Sequence, residues 1–305
     1  MRVILIGQAA FAERVLDGLR GNGHEVVAVY CPPDAAGGKP DPVKARAQAL
    51  GIAVRQHASL KRPEVRAEFE GLAADLGVLA YVTQIVPPGV FSVPRLGSIC
   101  FHPSLLPRYR GGSAINWQII KGETQSGVTV FWVDPGIDTG PILLQKPAPI
   151  EADDTAGSLY FNTLFPLGVD TVLESVELVA AATAPSLPQD ESRATYDPLC
   201  RDEHAAIDWS RPVREVSNLI RGCDPQPGAL SFFSGEKLRL YDCRAIAGGT
   251  HAPGIVEEVS PDGVVIGSCD GAIRAKRVRY REKKGDAAAL AAELGLAVGD
   301  FLGRS

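Results

Sequence analysis

The first part of the chain alternates between short apolar runs and amphipathic segments. The run RVILI ends at Gly7, and the segment after it places Phe11, Val15 and Leu19 at helical spacing. A second apolar run, EVVAVYC, follows directly. The order predicts a β-α-β unit, and such a unit implies a parallel sheet.

The same alternation continues to about residue 182. Apolar runs of four to eight residues predict strands, and longer periodic segments predict helices. The predicted strands are GIAVR, DLGVLAYV, GSICFH, GVTVFWVD and 141–145, and the predicted helices are 42–50, 63–74, 114–121 and 155–182. We therefore predict an α/β domain over residues 1–184, with a doubly wound, mostly parallel sheet.

Composition changes after this domain. The segment TAPSLPQDESRATY is rich in proline, serine and charge, which is typical of an extended linker, here placed at 185–203. One helix candidate, RPVREVSNLIRG, and several short strands with turns between them follow. Short, evenly spaced strands predict a small β-barrel over residues 204–305.

Charge and cysteine usage exclude several classes of protein. The formal net charge is −5, so a broad phosphate-binding surface, and with it a nucleic-acid partner, is not the first expectation. No window approaches the ~18 uninterrupted apolar residues of a membrane span, and no signal peptide is visible, so we predict a cytoplasmic protein without a membrane partner. The six cysteines form no C-x-x-C pair, which argues against a zinc site or a disulfide framework.

The first strand-to-helix turn argues against a dinucleotide. Such turns in NAD-binding folds carry G-x-G-x-x-G, and this chain has G-Q-A-A-F-A. Alanines stand where glycines would let the backbone approach a pyrophosphate. We therefore predict that NAD is not a cofactor.

His102 and Asp138 are the candidate reactive pair. His102 ends the run GSICFH, and Asp138 lies in DPGIDTG, after GVTVFWVD, and both runs are predicted to be strands of the parallel sheet. Ligands of open α/β sheets bind outside the carboxyl ends of the strands, so we expect both side chains to converge there. An Asp beside a His holds the ring in one tautomer and favours its charged form, which suits a general base. Taken alone, each residue is also typical of a satisfied core histidine or of a turn aspartate.

Several longer sequence motifs resemble those of one enzyme family. HPSLLPRYRG followed by DPGIDTG resembles the family of formyltransferases that take the formyl group from 10-formyltetrahydrofolate. Within it, the resemblance is strongest to the hydrolase domain of 10-formyltetrahydrofolate dehydrogenase. The words that carry it are IGQAAF, FHPSLLPRYRGGSAINW, GIDTGPILLQK, ADDTAGSLY with LFPLG, TAPSLPQ with ATY, and IRGCDPQPGA.

The resemblance implies a fold, a donor and a site. It implies a Rossmann-like catalytic domain that binds folate and a C-terminal barrel similar to an OB-fold. His102 and Asp138 match the catalytic pair of the family, and the loop 79–91 matches the region that encloses the pterin. No metal is implied. The candidate folate-binding residues are Leu79, Ala80, Tyr81, Val82, Gln84, Ile85, Ser104, Arg108, Asp134, Gly136 and Ile137.

Two sets of residues each allow two interpretations. Arg108 or Arg110 can hold an anionic group such as a folate glutamate, or can brace the signature loop. The basic run AKRVRYREKK, residues 275–284, fits either a tRNA-bound acceptor or a solvated edge strand.

Cys100 is a difference from the amine formyltransferases of the family that the chain resembles. Those enzymes usually have Asn two residues before the catalytic His. Here the word is C-F-H, and a thiol is a poor substitute for an amide that donates to an oxyanion. Cys100 is then either a nucleophile or a pocket wall. The resemblance to the hydrolase domain favours transfer of the formyl group to water, which gives formate and tetrahydrofolate. The alternatives are transfer to an amine (a small amine, an amino sugar or methionyl-tRNA) and a folate-binding protein without catalysis.

Overall fold

The computed structural model describes residues 1–249 and 251–303. The chain divides into two compact units that interleave along the sequence. The first unit consists of Met1–Gly112, Gly127–Ala148 and Asn162–Tyr196. The second consists of Ser113–Ser126, Pro149–Phe161 and the chain from Asp197 onward.

A seven-stranded sheet forms the centre of the first unit. Its strand order is β3-β2-β1-β4-β5-β6-β7, with β1 to β5 parallel and β6 antiparallel to β5. The mostly parallel, Rossmann-like sheet that the sequence predicts is therefore confirmed. The strands are β1 (Arg2–Gly7), β2 (Glu25–Cys31), β3 (Val54–Gln56), β4 (Leu76–Ala80), β5 (Ser98–His102), β6 (Gln125–Trp132) and β7 (Ile142–Pro149).

Helices connect these strands, and proline begins several of them. Asp41 caps α2 by accepting the N–H of Val43, and Pro42 follows it at a position where a helix needs no donor. The helices up to residue 180 are α1 (Ala9–Gly21), α2 (Pro42–Ala49), α3 (Pro63–Leu72), α4 (Pro88–Phe91), α5 (Ala114–Ile120), α6 (Ala156–Ser158) and α7 (Phe165–Ala180).

The single helix predicted over 155–182 is interrupted. The segment Leu159–Leu164 between α6 and α7 is π-helical. Pro166 lies in the first turn of α7, where it lacks the N–H that would continue the ladder from the preceding turn. The apolar periodicity predicts the helix correctly, but not its wider turn.

Aromatic side chains pack the first unit. The ring of Phe11 from α1 lies 4.4 Å from the ring of Phe101 in β5 and 5.4 Å from that of Phe165 in α7. Gly168 allows this approach, because a Cβ there would lie 2.4 Å from the Phe101 ring. The packing fixes β5, and with it the position of His102 at the end of that strand.

The second unit contains a six-stranded sheet. Its path is β10-β11-β12-β9-β8, with β13 paired to β12, and every described pairing between these strands is antiparallel. Helices α9 and α10 contribute to its apolar core. The elements are α8 (Asp202–Ala205), α9 (Val213–Cys223), β8 (Ala229–Phe233), β9 (Glu236–Ala247), β10 (Val256–Ser260), β11 (Gly263–Gly267), β12 (Gly271–Tyr280), β13 (Lys283–Asp286) and α10 (Ala287–Leu294).

The closed OB-like barrel that the sequence predicts is not confirmed. Among the described residues, β8 and β10 end the strand path and do not pair with each other. Near the C-terminus, Gly303 exchanges backbone hydrogen bonds with Phe232 of β8, and the Asp300 carbonyl accepts the N–H of Val256 in β10. These are isolated bridges, so the sheet stays open.

Candidate active site

His102 ends β5 with its ring buried and with a hydrogen bond at one of its two nitrogens. Its Nε2 lies 2.7 Å from the carbonyl oxygen of Tyr109, which can only accept, so Nε2 is the donor. Nδ1 of the ring faces Oδ2 of Asp138 at 3.5 Å. In the neutral ring, Nδ1 is therefore the nitrogen without a proton, and it points toward a carboxylate.

Asp138 reaches His102 by a route that the sequence does not predict. We expected both residues to follow parallel strands, but this is wrong for Asp138, because β6 runs antiparallel to β5. Trp132 at the end of β6 pairs with Ile99 near the start of β5. The segment after β6 must therefore double back along β5 to bring Asp138 to His102.

Short side chains and glycine shape this returning loop. The Asp134 carboxylate accepts the N–H of Gly136 at 3.0 Å and the hydroxyl of Thr139 at 2.7 Å. At Gly140 a Cβ would lie 1.7 Å from the carbonyl oxygen of Trp132, so only glycine fits. Asp134 and Gly136, predicted to bind folate, here hold the loop together through their own contacts.

Two further contacts hold Asp138 itself. Oδ2 of its carboxylate accepts the N–H of Gly111 at 2.7 Å. Its backbone carbonyl accepts a hydrogen bond from Nε2 of Gln189 at 2.8 Å, and the same amide group donates to the Gly140 carbonyl at 2.7 Å. Asp138 has a positive φ of 57°, a strained conformation that these contacts stabilise.

Arg110 and Gln189 form a buried brace beside the pair. The Arg110 side chain is 6% exposed, and its guanidinium donates to Oε1 of Gln189 and to the Glu191 carboxylate at distances of 2.6 to 3.2 Å. Of the two interpretations for Arg110, the structure favours the brace. Sequence reasoning missed Gln189, although the family-like word TAPSLPQ contains it, because the whole segment was predicted to be a linker.

Cys100 lies on β5, two residues before His102. Its neighbours in the sheet are Leu79 of β4 and Phe131 of β6, and its Sγ lies 3.5 Å from the Phe101 carbonyl oxygen. Burial, followed by the negative charge of Asp138, raises the pKa of the Cys100 thiol well above its usual range. The thiol is therefore neutral at pH 7, which disfavours a nucleophilic role.

A cleft opens at the carboxyl ends of β1 and β2 and beside the loop after β4. Its empty space, with the open solvent at its mouth included, is about 260 Å³. β1 and β4 are adjacent in the sheet but distant in sequence, which is the position where open α/β sheets bind ligands. The lining residues include three of the predicted ones, Tyr81, Val82 and Gln84, together with Gln8, Cys31 and Thr83.

The other predicted residues divide into buried and exposed groups. Leu79 and Ala80 are buried within β4, and Ser104 is fully buried, with its hydroxyl donating to the Arg108 carbonyl at 2.7 Å. The Arg108 guanidinium lies 5.3 Å from the centre of the Tyr109 ring. Three apolar side chains stay at least 40% exposed in the loops around the sheet edge, namely Tyr81, Ile85 and Ile137.

Within residues 1–249 and 251–303, no group of three or more metal-ligating side chains is present. No helix in that part of the chain has the length and apolar character needed to cross a membrane.

Two family models match the chain. The formyl transferase model covers residues 1–166, and the model of the formyl transferase C-terminal domain covers residues 200–292. The chain belongs to the formyl transferase family. The predictions of the family and of an enzyme of formyl-group chemistry are confirmed.

Curated relatives of two kinds are similar to the chain. Cytosolic 10-formyltetrahydrofolate dehydrogenase of Mus musculus is 38% identical over 301 residues, which cover 93% of the chain and 33% of the relative. The chain thus spans about a third of the length of such relatives. Methionyl-tRNA formyltransferase of Geobacter sulfurreducens is also 38% identical, and there the match covers 93% of the chain and 90% of the relative.

Solved structures share the fold at lower identity. HypX of Aquifex aeolicus in complex with tetrahydrofolic acid has a TM-score of 0.72 and 22% identity, and the match covers all of the chain and 51% of HypX. The sugar 3N-formyl transferase WlaRD, in the presence of dTDP and 5-N-formyl-THF, has a TM-score of 0.70 and 20% identity, covering 93% of the chain and 98% of WlaRD.

Proposed function

We propose that the chain removes the formyl group from 10-formyltetrahydrofolate and transfers it to water, giving formate and tetrahydrofolate. The observation that carries this proposal is the 3.5 Å approach of His102 Nδ1 to the Asp138 carboxylate in a chain of the formyl transferase family. A relative named for 10-formyltetrahydrofolate and a similar fold with tetrahydrofolic acid bound support folate as the donor.

His102 acts as the general base. The Tyr109 carbonyl keeps the proton of the neutral ring on Nε2, so Nδ1 accepts the proton of the attacking water. As that proton leaves, the water oxygen bonds to the formyl carbon. The bond between the formyl carbon and the carrier nitrogen then breaks as the imidazolium returns its proton to that nitrogen. Tetrahydrofolate and formic acid are released, and the acid loses its proton to solvent to give formate.

Asp138 stabilises the imidazolium that His102 becomes. A carboxylate facing Nδ1 gains attraction when the ring is charged and has little effect when it is neutral. The N–H of Gly111 and the amide of Gln189 hold Asp138 in this position before the reaction. Backbone donors near Cys100 and the signature loop polarise the formyl oxygen.

The loops around the cleft are the proposed folate site. Tyr81, Val82 and Gln84 line the cleft, and a pterin offers amide-like edges that loop backbone groups can pair with. The exposed side chains of Ile85 and Ile137 offer apolar surface for the rest of the carrier. We assign the folate-binding role to these loops.

Water is the preferred acceptor because of Cys100. The amine formyltransferases of the family carry an amide at that position, and the hydrolase domain that the chain resembles lacks it, as this chain does. Transfer to an amine is the second candidate. It is favoured by the match to nearly the whole length of a methionyl-tRNA formyltransferase, and by Lys276, Arg277 and Arg279 on β12, where a tRNA-bound acceptor would find cations.

The test is turnover of 10-formyltetrahydrofolate, with tetrahydrofolate measured in the absence and presence of amines. Hydrolysis predicts release without any amine, and strict dependence on an amine would contradict it. We expect His102→Ala to lower release at least ~10²-fold, because the base is lost, while folate binding is retained. If the wild-type protein binds folate and never turns over, the chain is a folate-binding protein instead. A cytoplasmic location stays a prediction.

A further inference from the structure

Two cysteines of the second unit place their sulfur atoms side by side. Cys223 is the last residue of α9, and Cys200 lies two residues before α8. Their Sγ atoms are 4.0 Å apart. We propose that Cys200 and Cys223 are a modification site, where a hydroperoxide converts the two thiols into a reversible disulfide.

Both cysteines are held against the same helix, so their approach is built into the fold. The Cys200 N–H donates to Oγ of Ser113 at 3.0 Å, directly before α5. Asn116 of α5 donates to the Gly222 carbonyl at 2.8 Å, next to Cys223. Because α5 positions both backbones and the sulfurs already lie 4.0 Å apart, a disulfide with an S–S length of about 2 Å needs only a small local movement.

The segment that carries Cys200 is fixed by further contacts to α5 and the residue after it. Nε1 of Trp117 donates to the Pro198 carbonyl at 2.7 Å, and the Lys121 ammonium lies 2.6 Å from the Asp197 carboxylate. These contacts hold Asp197 and Pro198, which lie shortly before Cys200 in the chain. The thiol is therefore presented at a defined position beside Cys223.

The two thiols differ in access, which sets the order of the reaction. Cys223 is fully buried, whereas Cys200 is partly exposed at the edge of the same apolar core. An oxidant from solvent reaches Cys200 first. The buried partner then acts as the resolving thiol, an arrangement that is typical of redox-sensitive pairs.

The acidities of the two thiols agree with this order. The hydrogen bond from Cys223 lowers the pKa of the Cys200 thiol, although burial and the negative charge of Glu203 oppose that effect. The same hydrogen bond, together with burial, raises the pKa of Cys223. Burial also raises the pKa of Cys31 and Cys243, so those thiols compete poorly with Cys200 for the oxidant.

The chemistry balances in two steps. The Cys200 thiolate attacks one oxygen of the hydroperoxide, the O–O bond breaks, and the leaving oxygen takes a proton, which leaves Cys200 as a sulfenic acid. The Cys223 sulfur then attacks the Cys200 sulfur, the S–O bond breaks, and water leaves with the Cys223 proton. Two thiols are oxidised by two electrons and one hydroperoxide is reduced. A dithiol such as dithiothreitol reverses the change.

The test uses the full chain with Cys269→Ser, which removes the exposed thiol that would cross-link separate chains. One equivalent of hydrogen peroxide is added, thiols are counted in denaturant, and peptides are mapped by mass spectrometry without reduction. We expect the loss of two thiols, a peptide pair joining Cys200 to Cys223, and recovery of both with dithiothreitol. The cross-link should raise Tm by roughly 5 °C, since it constrains the unfolded chain.

Cys200→Ser and Cys31→Ser, each in the same background, are the matched variants. Cys200→Ser should abolish the loss of thiols, and Cys31→Ser should leave the cross-link unchanged. The mapping of the parent chain does not depend on how either variant folds. Oxidation of Cys200 to sulfinic acid with Cys223 still free, or a cross-link between any other pair, would overturn the proposal.

Discussion

The imidazole of His102 and the carboxylate of Asp138 face each other at 3.5 Å, although they follow strands that run in opposite directions. Trp132 at the end of β6 is level with Ile99, and the N–H of Val133 donates to the Ser98 carbonyl at 2.8 Å. The chain must therefore turn back before it reaches Asp138. The pair depends on the loop 133–141 as much as on the sheet.

Substitution by Asn removes the charge of Asp138 and keeps the shape of its side chain. In Asp138→Asn the side chain still accepts the N–H of Gly111, but it no longer attracts the imidazolium of His102. We expect kcat for formyl release to fall by roughly 10²–10⁴-fold, with little change in folate binding. Steady-state kinetics and folate titration measure the two effects. Asp190→Asn is the matched control, because Asp190 caps a short exposed turn, and a similar loss there would contradict the assignment.

Gln189 is a positioning residue, because it holds the backbone of Asp138 and does not face His102. Gln189→Ala removes the donor to the Asp138 and Gly140 carbonyls and the acceptor for Arg110. We expect the free energy of unfolding to fall by about 1–3 kcal/mol, since buried groups lose their partners. We also expect kcat to fall about tenfold, because the reacting pair is misplaced.

Gln189→Glu separates the two roles of this side chain. The glutamate keeps an acceptor for Arg110 but has no N–H for the two carbonyl groups. If Asp138 is positioned through its carbonyl, stability recovers only in part in Gln189→Glu, through the ion pair with Arg110, while kcat stays low. Recovery of kcat together with stability would mean that only the Arg110 brace matters. Denaturant unfolding and kcat, measured on the same samples, distinguish the outcomes.

Cys100 decides between a covalent and a direct reaction. Because the pKa of its thiol is raised by burial, the thiol is neutral, and Cys100→Ala should keep hydrolysis within about threefold of the parent rate. A loss of activity in that variant, with a formyl-thioester seen by mass spectrometry of the parent, would establish the nucleophile instead. Cys100→Asn supplies an amide donor to the developing oxyanion, so formyl release should rise by up to ~10²-fold with either water or an amine as the acceptor.

The thiol of Cys31 makes stability depend on alkaline pH. Burial raises the pKa of Cys31 to about 11 from the ordinary value of 9.0, so the folded chain keeps a proton that the unfolded chain loses. This contribution is fully present below pH 9 and is lost as pH rises toward 11, by on the order of 1–2 kcal/mol. Urea unfolding at pH 8.5 and 10.5 measures it. The fall should be smaller in Cys31→Ser, and an equal fall in both proteins would exclude this cause.

Periodicity predicted most elements of the first unit to within a few residues. The helices over 42–50 and 63–74 end at Ala49 and Leu72, because the apolar faces and the prolines that begin them are local signals. The direction of β6 was not predictable in the same way. A strand buried on both faces shows the same apolar run whether it is parallel or antiparallel, so only pairing with β5 decides its direction.

For the second unit, the short, evenly spaced strands predicted a small barrel, and the structure has the strands in an open antiparallel sheet. Closure was not encoded in that pattern, because it depends on whether the two end strands pair with each other, and β8 and β10 do not. The sequence also did not show which residues far apart along the chain lie close together in space. Nothing local to Gln189, Cys200 or Cys223 indicates which side chain each of them meets.

The amino-acid sequence by itself determined the family, the alternation of strands and helices, and the identity of His102 and Asp138 as the candidate reactive pair. It could do so because periodicity and motif words are properties of neighbouring residues. The tertiary structure alone decided that a loop returning along β5 joins the pair, that Tyr109 and Gln189 fix it, and that two distant thiols meet. These relationships arise from packing between segments, and packing places atoms by contacts that no single stretch of sequence contains.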